Sequence, residues 1–484
     1  METRFASLQK SLAARFETSG FEALERGTIV VISSLSFPEV ELRKITGVEH
    51  YEERLLCYLL ELRDPSSRVV YVTSADVDPE VVDYYLSFLP NPEDARARLT
   101  MISVGDPSPR SLSEKLLERP DLLDEIRSAT AGGDGAFILP FNVTPLEERL
   151  AEALSLPLYG PDPRLARHGT KSGARRLARR ARVPVLEGAE DLRSVAELEK
   201  AVQGILSRRP AARAVVVKLD NGFSGQGNAV IDASRVGSPI DSSVTVFCAE
   251  EESWSTYGPK IASDGAIVEE QLRVAGLVSP SVQLRIAPGG EIQELSTHDQ
   301  ILGGPDDQVY LGCRFPARRE YRDLIRDYGM RIARCLAEDG VIGTFGIDFV
   351  VVPAAAGYEA YLTEINLRVG GTTHPYVMAK GVTGAVYDQG RGELIVEGAP
   401  LCYVASDNIK SPRYAGMSPA RVIEALRAAG LAYERETRSG VTLHLLGALP
   451  KYGKCGAVCI APDVDRATAL YDETIAVFDR LAAS

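Results

Sequence analysis

The alternation of apolar and polar positions is clearest over residues 343–375, where it predicts a β-hairpin. A first run, 345–352, is rich in β-branched and aromatic residues, and a second such run, 360–368, follows a turn at 353–357. Side chains two positions apart on a strand share one face of it. The pattern therefore predicts that one face of the hairpin packs into a core while the other carries polar groups.

Two carboxylates face each other in this hairpin if its turn is centred near Ala356. Symmetric pairing then puts Asp348 opposite Glu364, with Asn366 and Arg368 on the same face of the second strand. Opposed carboxylates repel each other unless a cation lies between them. Oxygen ligands without Cys or His favour Mg²⁺ over Zn²⁺, and a neighbouring Arg suits phosphate oxygens held by the metal. We therefore predict Asp348, Glu364 and Asn366 as Mg²⁺ ligands; a hairpin face that is merely polar is the alternative.

The first third of the chain alternates short apolar strands with helical stretches, which predicts a parallel sheet covered by helices. The predicted strands are 28–33, 68–73, 99–104 and 136–140, and the predicted helices are 47–62, 79–89 and 111–117. The first strand runs into Ser-Leu-Ser-Phe-Pro, where a dinucleotide fold needs G-x-G-x-x-G. We therefore expect an α/β scaffold without an NAD site, whose strand ends still offer substrate contacts.

Two lysines accompany possible phosphate-binding elements after a boundary at 159–163. Lys171 begins a predicted helix over 171–182, and Lys218 ends a predicted strand over 214–220 that feeds the glycine loop 221–228. The glycines let backbone N–H groups converge on an anion, and lysine adds a point charge. A glycine turn that binds nothing is the alternative. A Walker A site is excluded because Gly169 and Lys171 are not adjacent.

The second half of the chain predicts mostly antiparallel strands. A strand over 265–272 ends in polar residues, so its backbone edge suits adenine, with Leu272 covering the ring. Arg285 alternates off the apolar face of a strand over 281–286. The remaining predicted elements are a strand at 291–302, a long helix at 317–338, and a compact α+β tail with strands at 401–405 and 441–446 and helices at 419–429 and 465–482.

Composition narrows the functional classes. The chain has 484 residues and a formal net charge of −13, so we expect two to four domains and no nucleic-acid partner. The seven cysteines form no zinc-site spacing, and no run suits a signal peptide or a membrane span, so we expect a cytoplasmic protein without a membrane partner. The basic run from Arg175 to Arg182 is interpreted as a solvated helix face, with phosphate binding as a lesser alternative.

Taken in order, these motifs resemble the ATP-grasp ligases over about residues 160–400. The resemblance implies a multidomain protein of α/β and α+β type. The implied domains are a Rossmann-like pre-ATP-grasp domain (1–160), an ATP-grasp domain (161–400, with a lid at about 183–272 and a catalytic part at about 273–400), and a small α+β C-terminal domain (401–484). It also implies ATP and two Mg²⁺ ions as cofactors. The implied nucleotide-binding residues are Lys171, Lys218, Ser224, Gly225, Gln226, Gly227, Glu269, Glu270 and Leu272. No residue after the hinge matches the ribose-binding Glu that the family often has.

More narrowly, the chain resembles the pheganomycin-type peptide ligases, on the sequences SPSVQLR, ILGG, EINLRVGGTTHP, SDNIKSP and YGKCG. This resemblance implies ATP-dependent amide formation through an acyl phosphate, with release of ADP and phosphate, in natural product biosynthesis. The implied substrates are an amino-acid-like carboxylate and the amine of an amino acid or peptide. The implied catalytic residues are Arg368, Lys218 and Arg285, and the implied substrate-binding residues are Arg285, Arg368, Gly371, Thr372, Thr373 and His374.

Other functional classes stay open at the level of sequence. The same motifs would also suit a non-catalytic ATP-binding module or an ATP-dependent small-molecule kinase. The complete magnesium ligand set with Arg368 disfavours the first of these. The sequence does not determine the oligomeric state, for which a homodimer is one option.

Overall fold

The computed structural model describes residues 3–132, 135–222, 227–233, 235, 240–241, 243–249, 252–303 and 309–483. Four residues of the predicted glycine loop, Phe223, Ser224, Gly225 and Gln226, lie outside the described residues. No helix in the described part of the chain is both long enough and apolar enough to cross a bilayer.

The N-terminal part is a parallel sheet covered by helices, as predicted. Its strands are β1 (Thr28–Ile32), β2 (Arg68–Thr73), β3 (Leu99–Ser103) and β4 (Phe137–Pro140), in the order β3-β2-β1-β4. The α-helices are α1 (Arg4–Ser19), α2 (Glu39–Leu42), α3 (Pro79–Leu86), α4 (Pro92–Ala97), α5 (Leu112–Leu117), α6 (Pro120–Thr130) and α7 (Pro145–Leu154). The predicted helix at 47–62 is present as a 3₁₀ helix, Val48–Arg63.

The middle of the chain forms a separate antiparallel sheet. Its strands are β5 (Gly188–Leu192), β6 (Ala214–Leu219), β7 (Asn228–Asp232), β8 (Thr245–Phe247) and β9 (Ala266–Glu270), in the order β5-β9-β6-β7-β8. The helices around it are α8 (Lys171–Arg180), α9 (Val195–Arg208) and α10 (Trp254–Asp264). The helices α9 and α10 and the strand β8 were not predicted from the sequence.

The interpretation of the basic run as a solvated face is wrong for one member. Arg175 is only 2% exposed, whereas Arg176 and Arg179 are exposed. The reason is helical spacing, because Arg175 lies on the same face of α8 as Lys171 and Ala178, and that face is buried.

The rest of the chain builds a ten-stranded sheet. Its strands are β10 (Pro280–Ile286), β11 (Ile292–Gly303), β12 (Val309–Phe315), β13 (Gly343–Ala354), β14 (Gly357–Asn366), β15 (Val386–Asp388), β16 (Glu393–Val396), β17 (Ala399–Lys410), β18 (Gly440–His444) and β19 (Lys454–Ala461). The helices are α11 (Arg319–Glu338), α12 (Thr373–Thr383), α13 (Pro419–Ala428), α14 (Leu449–Tyr452) and α15 (Val464–Ala483).

Strand β17 connects the strands β10–β14 to the C-terminal strands, because it pairs with β12, β16 and β19. Strand β19 was not predicted. All eight of its residues are buried, so its sequence shows a continuous small and apolar run instead of the alternation of a half-exposed strand. One hydrophobic cluster contains residues of the N-terminal sheet, α12 and the C-terminal strands. These parts therefore share a core. The main cavity is lined by residues of the N-terminal part, by the middle sheet and by the strands β13 and β14.

Candidate active site

The β13–β14 hairpin puts Asp348 directly opposite Glu364, as predicted. The loop of the hairpin has only two residues, and strict symmetry about it would put Thr363 opposite Asp348. A β-bulge leaves Thr363 as an extra residue, so Glu364 takes the opposing position instead. The bulge also interrupts the alternation of side chains along β14. Leu362 is 1% exposed and lies in the core, whereas Glu364, two residues later, lines the cavity.

The two carboxylates repel each other, and a cation bound between them would relieve this repulsion. Burial raises the pKa of Asp348, and the nearby charge of Glu364 raises it further. Burial would also raise the pKa of Glu364, but the ion pair with Lys171 lowers it overall. Asp348 accepts hydrogen bonds from the side-chain amides of Gln300 (2.8 Å) and Asn366 (2.9 Å). The hard oxygen donors of Asp348, Glu364 and Asn366 fit Mg²⁺.

The start of α8 holds Lys171 against this hairpin. Asp220, directly after β6, accepts the N–H of Lys171 with its carbonyl (3.2 Å) and the N–H of Ser172 with its carboxylate (2.8 Å). The Lys171 ammonium donates to Glu364 and to the carbonyl of Gly222 (3.2 Å). Lys171 therefore links the carboxylate pair to the first residues of the glycine loop.

Glu269 organises the second lysine. Its carboxylate lies 2.5 Å from the Lys218 ammonium and 3.1 Å from the Arg175 guanidinium. Glu269 is only 2% exposed, so its charge is compensated inside the protein by these two cations. The hinge that follows is held by two backbone bonds, from Glu270 N–H to Glu187 (2.8 Å) and from Gln271 N–H to Ala214 (3.0 Å).

One cavity of about 720 Å³ brings most of the predicted site together. This volume is in the usual range of ligand sites, roughly 300–1,000 Å³. The buried side chains of Leu186 and Val216 give it an apolar wall beside the hinge. The predicted residues that line it are Lys171, Lys218, Glu269, Glu270, Leu272, Asp348, Glu364, Asn366, Arg368, Gly371 and Thr372.

Arg285 lines a different cavity, so its predicted role in the active site needs correction. Its guanidinium lies 4.4 Å from the centre of the Phe21 ring and donates to Gln293 (2.6 Å) in a second cavity of about 180 Å³. Arg285 is two residues beyond Gln283, which does line the active-site cavity, and two residues of strand span about 7 Å. At that distance along β10 the second cavity is lined by Tyr376 and other residues of α12.

Three further predicted residues do not line the main cavity. Thr373 is 3% exposed, and its hydroxyl accepts the N–H of Gly370 (3.0 Å) at the start of α12. His374 is 2% exposed and contacts Asp407 of β17. Gly227 packs against Gly222 at the base of the glycine loop. Thr373 and His374 therefore support the segment that carries Gly371 and Thr372, without lining the cavity themselves.

The sequence predicted substrate contacts at the strand ends of the N-terminal part, but it did not identify the residues that line the cavity there. Phe37 and Phe141 follow β1 and β4, and both line the cavity, as the carboxyl ends of parallel strands often do. Arg368 lies 5.8 Å from the centre of the Phe37 ring. Arg54 also lines the cavity, with its guanidinium 4.6 Å from the centre of the Tyr51 ring. The strand ends could have suggested the two phenylalanines, but Arg54 comes from a helix with no local signal.

Family models match three consecutive parts of the chain. A pre ATP-grasp domain matches residues 53–156, an IQCH-like ATP-grasp domain matches residues 163–243 and 241–378, and a PGM1 C-terminal domain matches residues 421–474. The chain is 33% identical over 456 residues to L-propargylglycine–L-glutamate ligase of Streptantibioticus cattleyicolor, covering 91% of this chain and 92% of that protein. It is 21% identical over 398 residues to IQ motif-containing protein H of Danio rerio, covering 71% of this chain and 37% of that protein.

Solved structures show the same fold at low sequence identity. A biotin carboxylase from Campylobacter jejuni in a β,γ-ATP complex has a TM-score of 0.58 at 16% identity, covering 95% of this chain and 96% of that chain. The biotin carboxylase domain of Hydrogenobacter thermophilus 2-oxoglutarate carboxylase, in complex with MgADP, has a TM-score of 0.54 at 14% identity, covering 92% and 89%. The resemblance derived from the motifs is thereby confirmed. The chain belongs to the ATP-grasp ligases, in the pheganomycin-type group with a pre-ATP-grasp domain, and it is an ATP-dependent, ADP-forming carboxylate–amine ligase.

Proposed function

We propose that this ligase activates the carboxylate of an amino-acid-like substrate as an acyl phosphate and transfers the acyl group to the amine of an amino acid or peptide. One observation carries the proposal. The opposed carboxylates Asp348 and Glu364 line the same cavity as Lys171, Lys218 and Arg368. That set pairs oxygen ligands for a metal with fixed cations for phosphate oxygens, as phosphoryl transfer requires.

The nucleotide lies along the hinge in this proposal. Leu272 and Val216 cover the adenine, and the backbone after Glu269 contacts its edge. Lys218 and Lys171 reach the phosphates, together with the glycine loop. Asp348, Glu364 and Asn366 would hold Mg²⁺, for which we expect two ions. When bound, Mg²⁺ neutralises the phosphate oxygens that carry the developing negative charge.

The two arginines of the cavity hold the substrates. Arg368 orients the reacting carboxylate and the transferred phosphoryl group, because a guanidinium binds such groups through two parallel hydrogen bonds. Arg54 is fixed between the rings of Tyr51 (4.6 Å) and Phe141 (5.3 Å), and it binds a second carboxylate, that of the amine substrate. Gly371 and Thr372 line the acceptor end between them.

The substrate class follows from the curated relative, whose name gives propargylglycine and glutamate as its two substrates. Glutamate carries carboxylates that an arginine can bind while its amine reacts. We therefore propose two amino acids, or an amino acid and a peptide, as substrates here. The ribose contact stays unassigned.

Activity with ATP, Mg²⁺ and a panel of amino acids tests the proposal. An acid alone with hydroxylamine should give ADP and a hydroxamate, because hydroxylamine traps an acyl phosphate. Adding the correct amine should give an amide of the summed mass, less one water, by mass spectrometry. AMP in place of ADP would contradict the acyl phosphate, and a stable phosphorylated product without amide would indicate a kinase.

We also propose the division of the chain that the motifs predict. Residues 1–160 contribute substrate contacts, residues 161–400 bind the nucleotide and catalyse the reaction, and residues 401–484 support the acceptor end. A cytoplasmic location is part of this proposal, because the seven cysteines, all of them in the described part of the chain, form no disulfide there. A homodimer is a separate prediction that light scattering on the purified protein checks.

A further inference from the structure

Two histidines and one aspartate meet where α12 packs near strands β17 and β18. His374 comes from the first turn of α12, Asp407 from β17 and His444 from the end of β18. They are 2%, 8% and 2% exposed. Their Nε2 and Oδ1 atoms lie 3.0 Å apart for His374 and Asp407, 2.8 Å apart for His444 and Asp407, and 3.1 Å apart for the two histidines.

Hydrogen bonding alone does not satisfy all three of these contacts. If both Nε2 atoms carry protons, each can donate to Asp407, but the two N–H groups then face each other at 3.1 Å. If one ring is unprotonated at Nε2, its lone pair faces the carboxylate oxygen instead. With Asp407 ionised, as its contact with Arg54 favours, one contact of the triangle is repulsive in either arrangement. A cation bound by all three lone pairs removes that repulsion.

The spacing of the three atoms also fits a metal. Ligands about 2.1 Å from a divalent ion lie about 3.0 Å apart when they occupy one face of an octahedron, and about 3.4 Å apart when the ion is tetrahedral. The observed separations of 2.8, 3.0 and 3.1 Å match the octahedral face. Two imidazoles with one carboxylate form the set that first-row transition metals prefer.

We propose that His374, Asp407 and His444 bind one divalent first-row transition metal ion, distinct from the magnesium of the nucleotide site. Imidazole nitrogens select against Mg²⁺, whereas the oxygen ligands of the nucleotide site favour it. The chain has five histidines, and this site brings two of them to one carboxylate.

Two neighbouring residues, Gly456 and Arg54, accommodate the ring of His444 and orient the carboxylate of Asp407. A Cβ at Gly456 would lie 2.0 Å from His444 Nε2, so only glycine leaves room for the imidazole. Arg54 lies 3.4 Å from the second oxygen of Asp407, where it orients the carboxylate as outer partners of metal ligands do. The motifs GGTTHP, SDNIKSP and YGKCG supply His374, Asp407 and Gly456. This metal would therefore explain three motifs that the nucleotide chemistry does not use.

The bound ion would connect the acceptor end of the active site to the C-terminal sheet. His374 follows Gly371 and Thr372 by only a few residues, and both of those line the main cavity. Arg54 lines the same cavity and contacts Asp407. The ion thus fixes the positions of acceptor-binding groups without touching the nucleotide.

Metal binding by the full-length protein tests this proposal. The protein is stripped with a chelator, dialysed into excess Mg²⁺ to fill the nucleotide site, and titrated with Co²⁺, with elemental analysis after removal of free ion. We expect about one Co²⁺ per chain and a raised melting temperature, since a metal that binds only the folded state stabilises it. His374→Gln, His444→Gln and Asp407→Asn should each lose at least about ten-fold in Co²⁺ affinity.

Matched controls separate this site from other histidines and from the magnesium site. His50→Gln removes a histidine that bonds Glu53 (2.8 Å) outside the cluster, and it should bind Co²⁺ as the wild type does. Glu364→Gln should also keep Co²⁺ binding. X-ray absorption of the wild-type Co²⁺ protein should show imidazole ligands, a readout that holds even if a variant fails to fold. Less than about a tenth of an equivalent of Co²⁺, oxygen ligands alone, or equal loss in His50→Gln would overturn the proposal.

Discussion

Replacing Arg368 and, separately, Arg285 by lysine tests whether both arginines act in the active site, as the sequence implied, or only Arg368, as the structure indicates. The sequence motifs implied a catalytic role for both residues. In the structure Arg368 lines the cavity that holds the carboxylate pair, whereas Arg285 lines the second cavity beside Phe21. Each exchange keeps a positive charge and removes the two-pronged guanidinium. The same chemical change is therefore made at two positions with different expected results.

The size of each effect follows from the contacts. At Arg368 the lysine loses one charge-assisted hydrogen bond to the reacting groups, which costs about 1.5–3 kcal/mol, or about 10- to 150-fold in kcat. Arg368→Ala loses the charge as well and should cost about 2.7–4 kcal/mol, as does removal of an oxyanion donor. Arg285→Lys loses the Phe21 ring contact and the bond to Gln293, so the free energy of unfolding falls by about 1–2 kcal/mol.

The assay is steady-state ADP release with saturating acid and amine, paired with urea unfolding of each variant. We expect Arg368→Lys to lower kcat with unfolding free energy close to the wild type. We expect Arg285→Lys to keep kcat within about three-fold and to lower stability. Equal losses of kcat at both positions would refute the assignment of Arg285 to a separate cavity. An unchanged kcat for Arg368→Lys would refute the proposal that the Arg368 guanidinium orients the reacting groups through two hydrogen bonds.

Three further predictions concern charged side chains that are buried or paired. Glu364→Gln should raise the Mg²⁺ concentration for half-maximal activity at least about ten-fold, and an unchanged Mg²⁺ titration contradicts the ligand assignment. Arg175→Met should lower the free energy of unfolding by about 2–4 kcal/mol, because the buried Glu269 loses one of the two cations that pair with it. In urea unfolding, the matched change at the exposed Arg176, Arg176→Met, should cost less than about 0.5 kcal/mol. Burial raises the pKa of Glu52 from 4.5 to about 7, so the folded state holds this proton more tightly than the unfolded chain. Stability from this group should fall by up to about 3 kcal/mol as the pH rises from about 4.5 through 7, and urea unfolding of Glu52→Gln at pH 5 and pH 8 should show a flatter dependence than the wild type.

Local pattern was sufficient wherever the chemistry lies on one element or on two elements joined by a short turn. The alternation in β13 and β14 gave the hairpin, and the spacing of Asp348 and Glu364 about its turn gave the carboxylate pair. The prediction was correct although the turn lies half a residue earlier than expected, since the bulge at Thr363 shifts the register by the missing amount. The alternating strands and helices of the first third likewise gave the parallel sheet.

Tertiary packing decided the rest, because it brings together residues whose separation in sequence carries no signal. Strand alternation gives Arg285 and Gln283 the same facing, but only the packing of α12 determines that they line different cavities. Arg54 reaches the active site from a helix more than three hundred residues before the strand that holds its partner Asp407. The sequence of a strand determines which of its side chains share a face. Which element packs against that face depends on the burial of apolar surface across the whole chain.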